Sequence, residues 1–265
     1  MTTLSQLMNL KGRRALITGA AGGIGRVIAQ TLAEMGSDLI LVDRPGSNYE
    51  ELIPLLKKWD IDVQILDCDL EIQSERELLI KSVTQKYGVD VLINNAAFVG
   101  SSGLKGWGTT FEHQSVETWR RALEVNLTAV FDLCKGFTET LSKNGHGSII
   151  NIGSIYGSYG PDYSLYEGTA MGNPAAYAAS KGGLIQLSRW LATTIAPRVR
   201  VNTISPGGVF RGQPEVFVKR YEARTPLARM AREDDFKGAI AFLASDLSGY
   251  VTGQNLAVDG GWGVW

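Results

Sequence analysis

Tyr177 and Lys181 lie four residues apart in a stretch that reads as a helix, so both side chains share one face. A free tyrosine, with a pKa of about 10, is a poor base near neutrality. A neighbouring ammonium favours the phenolate. Lowering the pKa by about 2 to 3 units takes roughly 3 to 4 kcal/mol. One ammonium in a partly desolvated cleft, at an effective dielectric of about 20, supplies about that much. Two polar residues could complete the set. Ser154 follows an apolar run and could hydrogen-bond a substrate oxygen. Asn126, within Val125-Asn126-Leu127, is either a satisfied core amide or a side chain holding a water that links Lys181 to solvent. A Tyr-x-x-x-Lys pair alone is also a common accident of helix surfaces.

A second constellation precedes this one. Thr18-Gly19-Ala20-Ala21-Gly22-Gly23-Ile24-Gly25 follows an apolar run and opens a helical pattern. Glycines at a strand-to-helix turn let backbone amides approach a pyrophosphate, and the helix N-terminus adds partial positive charge. The spacing is Gly-x-x-x-Gly-x-Gly, and a tight turn with close helix packing would show the same residues. Asp43 ends the next strand; a carboxylate there can accept from a ribose 2′-hydroxyl and would repel a 2′-phosphate. This favours NAD over NADP, although Arg44 beside it could accommodate a phosphate. Asp69, with Leu70 after it, could bond an adenine amino group or cap a helix. Asn94-Asn95-Ala96-Ala97 offers small residues beside an adenosine ribose.

These residues need a frame that brings distant segments together. Short apolar runs at 15–18, 39–43, 63–66, 91–94, 148–152, 199–204 and 255–258 read as strands. Helical patterns over 24–35, 49–59, 74–87, 116–141, 175–196 and 234–244 alternate with them. Apolar strands alternating with helices imply a parallel sheet covered on both faces, an α/β doubly wound fold. No repeat or linker divides the chain, so residues 1–265 read as one domain. Three connections, 98–114, 156–174 and 206–232, are long, and all follow the carboxyl ends of strands, where such folds bind ligands.

Composition sets the outer bounds. The chain has 265 residues, 44% hydrophobic and 20% charged, with a formal net charge of -1. Nothing in that balance favours nucleic acid or an anionic membrane. No signal-peptide pattern or spanning apolar run is seen, so a cytoplasmic protein is expected. The two cysteines, Cys68 and Cys134, read as reduced and buried, and no metal-ligand cluster is present.

Taken jointly, the glycine loop, Asp43, Asp69, Asn94 to Ala97, Asn126, Ser154, Tyr177, Lys181 and Pro206-Gly207-Gly208-Val209 resemble the short-chain dehydrogenase/reductase family. The resemblance covers residues 11–262. It implies a single Rossmann-type domain with a seven-stranded, mostly parallel sheet, and a catalytic set of Asn126, Ser154, Tyr177 and Lys181. It implies that Lys181 also holds the nicotinamide ribose, with Pro206, Gly207 and Val209 beside the nicotinamide. Residues 206–232 would form the substrate loop. Homotetramers or homodimers are expected, with the two long helices as an interface. The implied reaction passes hydride between a nicotinamide cofactor and a secondary alcohol or ketone while Tyr177 moves the proton.

The chain departs from the family between Ser154 and Tyr177, where the gap is longer than usual. The inserted stretch, 161–174, is similar to that of dehydrogenases found with bacterial flagellin-modification and legionaminic-type sugar pathways. A sugar or amino-sugar substrate is therefore expected, with Tyr156, Tyr166, Glu167 and Thr169 offering stacking surface and hydroxyl-binding groups. A rigid loop packed on a neighbouring subunit would also suit these residues. Arg211, nearest the nicotinamide segment, is the expected contact for a substrate anion. Ser101, Ser102, Lys105, Trp107 and His113 occupy the second long loop, and Lys219, Arg220 and Arg224 the third. Competing readings are a generic carbonyl or 3-oxoacyl-type reductase using NADP(H), and a nucleotide-binding sensor without chemistry. A sensor has no need of the Asn-Ser-Tyr-Lys set.

Overall fold

The computed structural model describes residues 1–99 and 104–265. Its elements in chain order are α1 (Leu4–Met8), β1 (Arg14–Thr18), α2 (Gly23–Glu34), β2 (Asp38–Asp43), α3 (Leu52–Leu56), β3 (Val63–Asp67), α4 (Gln73–Lys86) and β4 (Val91–Asn94). There follow α5 (Val116–Leu123), α6 (Ala129–Ser142), β5 (Gly147–Ile152), α7 (Ala175–Thr194), β6 (Val199–Pro206), α8 (Glu215–Arg224), α9 (Lys237–Ala244) and β7 (Asn255–Val258). The seven strands form one sheet in the order β3-β2-β1-β4-β5-β6-β7, and every pairing is parallel.

Alternate strand residues feed two cores. Ile17, Leu39, Ile93 and Ile150 meet α2 and α9 on one face. Leu16, Ile40, Leu92 and Ile149 meet α4, α6 and α7 on the other. Strands buried on both faces have no polar side to show, hence their unbroken apolar runs. The register aligns Thr18 with Val42, Asn94 with Asn151, Ile152 with Ile204, and Pro206 with Val258. The strand order reverses between β1 and β4, and the carboxyl ends of those two strands open the crevice where such sheets take ligands.

Four local differences from the sequence expectation matter. The helix expected over 49–59 is only α3. The long helix expected over 116–141 is interrupted by a π-turn at Glu124–Thr128, which carries Asn126. Such turns concentrate at functional sites. The connection 206–232 contains α8, whose buried face is only Phe217 and Tyr221. The short α1 was not foreseen; it has a Thr3–Gln6 capping box and buries no residue. Among the described residues, no helix is long and apolar enough to cross a membrane.

Candidate active site

A cavity of about 810 Å³ runs along the carboxyl ends of the strands. Its floor is set by β1 and its glycines. Gly19 has φ +64°, and a Cβ there would lie 2.8 Å from Ala96 Cα. A Cβ on Gly25 would lie 2.1 Å from the Gly19 carbonyl oxygen. The loop therefore folds this way only with glycine at both places. Thr18 Oγ1 accepts from the amides of Asn95 and Ala96, each at 3.1 Å. Asn95 Nδ2 donates to the carbonyls of Thr18 at 3.0 Å and Gly19 at 2.9 Å. Asn95 thus laces the two strand ends together. The helix α2 begins at Gly23 with no side-chain cap, leaving its first-turn amides for a ligand.

Gly19, Gly22, Gly23, Ile24 and Gly25 line this cavity, as do Asp43, Arg44, Asp69 and Leu70. Asn95, Ala96 and Ala97 continue the wall, and Pro206, Gly207 and Val209 close the far end. Ala21 does not line it; its amide donates to Asp43 Oδ2 at 3.0 Å. Asp43 Oδ1 accepts from the Arg44 amide at 2.8 Å. Asp69 Oδ1 accepts from the Glu71 amide at 2.9 Å, a turn-forming bond. The glycine cradle, the carboxylate at the end of β2 and the volume of the cavity fit a dinucleotide.

Ser154, Tyr177 and Lys181 meet at one end of the same cavity. Ser154 follows β5 by two residues and caps the turn Ile155–Gly157, and its Oγ accepts from the Tyr156 amide at 3.2 Å. Tyr177 keeps part of its surface on the cavity. Burial raises its pKa, opposed by a hydrogen bond with Ser154. Tyr166 nearby raises it further, and Arg211 lowers it. Lys181 is 2% exposed. Its Nζ donates to the Ile152 carbonyl at 2.7 Å and lies 5.8 Å from the centroid of the Tyr177 ring. Burial pushes its pKa down to about 8.

The expected lowering of the Tyr177 pKa by Lys181 is therefore corrected. Lys181 is turned to a carbonyl, and burial acts first on both groups. A depressed lysine pKa means that the unfolded chain holds more protons than the folded one between about 8 and 10.5, so stability rises with pH there. Relative to Lys181→Met, wild type should gain about 2 to 3 kcal/mol between about pH 7 and about pH 10. Denaturant unfolding of both proteins at the two pH values measures it. A constant difference would show that burial does not act on the ammonium.

Asn126 does not line the cavity. Its Oδ1 accepts from the Phe98 amide at 2.6 Å, and its Nδ2 donates to the Phe98 carbonyl at 3.3 Å and Ser180 Oγ at 3.0 Å. It ties the segment after β4 to α7, one residue from Lys181, and these contacts match the core-amide alternative.

The inserted stretch is spent largely on itself. Tyr156, Tyr166, Glu167 and Thr169 do not line the cavity. The hydroxyls of Tyr156 and Tyr166 bond each other at 2.6 Å, and Tyr166 packs on Phe217 of α8. Thr169 Oγ1 donates to the Tyr166 carbonyl at 2.8 Å, while the Glu167 side chain is exposed. Arg220 donates to the Glu167 carbonyl at 2.6 Å, and Arg224 pairs with Asp162 at 2.5 Å. Those two arginines brace the insertion, whereas Lys219 pairs with Glu215 in solvent. Trp107 is buried against Phe98, and His113 Nδ1 bonds Thr110. Lys105 is exposed; Ser101 and Ser102 lie outside the described residues.

Several site residues were not foreseen. Arg121 lines the cavity, makes a two-point ion pair with Glu71 at 2.7 and 3.1 Å, and lies over Phe98 at 4.9 Å. Tyr221 stacks on Trp262 and accepts from the Gly208 amide at 2.5 Å, bracing the segment after β6. Its one sequence signal is its spacing of four from Phe217 on a helix. Cys68 lines the cavity, and burial raises both its pKa and that of Cys134 to about 12. Among the described residues no metal-binding cluster occurs.

Residues 19–263 match a family model described as enoyl-(acyl carrier protein) reductase. The chain is 35% identical over 263 residues to nodulation protein G of Rhizobium sp. (strain N33), a match covering 96% of this chain and 98% of that protein. It is 30% identical over 260 residues to post-translational flagellin modification protein A of Campylobacter coli, covering 96% and 100%. A solved structure from Beutenbergia cavernae, described as an NAD(P)-dependent gluconate 5-dehydrogenase with bound NADP, superposes with a TM-score of 0.86. That protein is 32% identical, and the match covers 98% of this chain and 100% of that one.

Proposed function

This chain belongs to the short-chain dehydrogenase/reductase family of oxidoreductases, and on that premise we propose that it moves hydride between NAD(H) and a secondary alcohol or ketone of a sugar or amino-sugar derivative. The observation that carries the reaction is the meeting of Ser154, Tyr177 and Lys181 at one end of a cavity whose other end is a glycine cradle. A nicotinamide bound there supplies the hydride acceptor or donor. Tyr177 then takes the hydroxyl proton as phenolate, or gives a proton to the ketone oxygen as phenol. Ser154 donates a hydrogen bond to that oxygen and orients it. Lys181, held by the Ile152 carbonyl, keeps its ammonium 5.8 Å from the centroid of the Tyr177 ring. Asn126 positions this set by tying Phe98 to Ser180.

The choice of NAD rests on Asp43, whose carboxylate lies at the β2 end of the cavity, where a 2′-phosphate would be a second anion. Fluorescence titration tests it. NADH should bind at least about tenfold more tightly than NADPH, about 1.4 kcal/mol, and Asp43→Asn should narrow the gap. Tighter NADPH binding by wild type would overturn the choice.

The substrate class rests on likeness to the flagellin-modification and gluconate-dehydrogenase relatives. Similarity to the 3-oxoacyl-[acyl-carrier-protein] reductase of Thermotoga maritima, 32% identical over 262 residues, favours a second reading, an acyl-type ketone reductase; exposed Arg44 beside Asp43 would suit the 2′-phosphate of NADP(H) there. Assembly as a dimer or tetramer is supported by exposed Phe131 on α6 and Trp190 on α7.

A further inference from the structure

We propose that Arg211 clamps the diphosphate of the bound dinucleotide, and that Glu233 is an internal anion holding Arg211 in place until the dinucleotide arrives. This moves Arg211 from the substrate, where sequence position puts it, to the cofactor, and it rests on the dinucleotide reading above.

Three observations carry it. Arg211 lines the cavity together with Gly22 and Gly23. Its Nη2 would lie 3.1 Å from a Cβ built on Gly23, the first residue of α2, and Glu233 Oε1 would lie 2.8 Å from the same point. The guanidinium therefore stands beside the first residue of α2, close to the helix end whose uncapped amides suit an anionic ligand. The Arg211–Glu233 pair is also weak. Its one contact, Nε to Oε1, is 3.4 Å, and the side chains are 54% and 31% exposed. A diphosphate offers more charge and more acceptor oxygens than one carboxylate, so it should win the guanidinium.

The backbone beneath is fixed while the side chain reaches outward. The Arg211 amide donates to Gln213 Oε1 at 2.7 Å, and Gln213 Nε2 donates to the Val209 carbonyl at 2.8 Å. Phe210 N donates to the Ala231 carbonyl and Ala231 N to the Gly208 carbonyl, both at 2.9 Å. The strand-like pairing joins the segment bearing Arg211 to the one leading to Glu233.

The test is NADH titration of wild type, Arg211→Gln, Glu233→Gln and the double variant, with thermal melts to confirm folding. Arg211→Gln should weaken NADH binding about tenfold to a hundredfold. Glu233→Gln should tighten it about threefold or more, and most of that gain should vanish in the double variant. Adenosine, which has no phosphate, should bind wild type and Arg211→Gln alike. Wild type that binds NADH no better than Arg211→Gln overturns the clamp alone. Undiminished tightening by Glu233→Gln in the double variant overturns the exchange between anions. Wild type that binds neither NADH nor NADPH removes the dinucleotide reading, and the clamp with it.

Discussion

Tyr177→Phe should bind NADH within about twofold of wild type and lose turnover by a factor of about 10² to 10⁴, the usual worth of a positioned acid/base group. The substitution removes one oxygen and leaves the ring packed against the cluster of Trp107, Ala122 and Ala176. Stability should change by about 1 kcal/mol or less, the net worth of a side-chain hydrogen bond such as that with Ser154. Burial raises the Tyr177 pKa from its ordinary value of 10.0, so the resting phenol is protonated at neutral pH. That is the form a ketone reduction consumes. Alcohol oxidation needs the phenolate, so its rate should climb with pH from neutrality upward in wild type and stay flat in the variant. Retained turnover in Tyr177→Phe would remove the tyrosine from the reaction.

Gly25→Ala should cost the protein its dinucleotide. The added Cβ would meet Gly19 O at 2.1 Å, Ala20 Cα at 2.8 Å and Gly19 C at 2.9 Å, all backbone atoms that no rotamer change can move aside. Gly19 cannot yield easily, because its carbonyl is held by Asn95 Nδ2 at 2.9 Å. Overpacking of this kind costs about 1 to 3 kcal/mol of stability, which for a chain of this size lowers Tm by roughly 2 to 10 °C. NADH affinity should fall by more than about a hundredfold, since amides aimed at a phosphate lose their geometry with the loop. Gly46→Ala is the control: its φ is +81°, but nothing lies within 4 Å of the added carbon. It should lose about 1 kcal/mol to backbone strain and keep NADH affinity. Unchanged NADH binding in Gly25→Ala would show that the loop is not the cradle.

What could be read from the chain, and what could not, follows from the range of the interactions. β4 reads clearly because all four of its residues are buried, and burial on both faces leaves an unbroken apolar run. The glycine loop reads clearly because its backbone contacts are local. The π-turn around Asn126 leaves no mark in the hydrophobic period. Helix α8 was hidden because Glu215, Lys219, Arg220, Glu222 and Arg224 surround two buried aromatics. The insertion can be read two ways from its residues, as a hydroxyl-binding surface or as a rigid packed loop. Tyr166, Glu167 and Thr169 have the composition of a hydroxyl-binding surface, yet bonds to Tyr156 and Arg220, and within the insertion's own turn, consume much of their polar capacity. Arg211 was legible as a cation near the nicotinamide segment. Which anion it meets depends on Glu233, 22 residues away, and on Gly23 across the fold.

The most direct measurement is turnover of the wild-type protein with NAD(H) across a panel of polyols, phosphorylated and nucleotide-linked amino sugars, and acyl ketones. Reduced nicotinamide is followed throughout, with Tyr177→Phe run alongside. Hydride exchange with a polyhydroxylated member of the panel, lost in Tyr177→Phe, is the expected result. Tight NADH binding with no turnover of any alcohol or ketone would contradict it and leave a nucleotide-binding protein without chemistry.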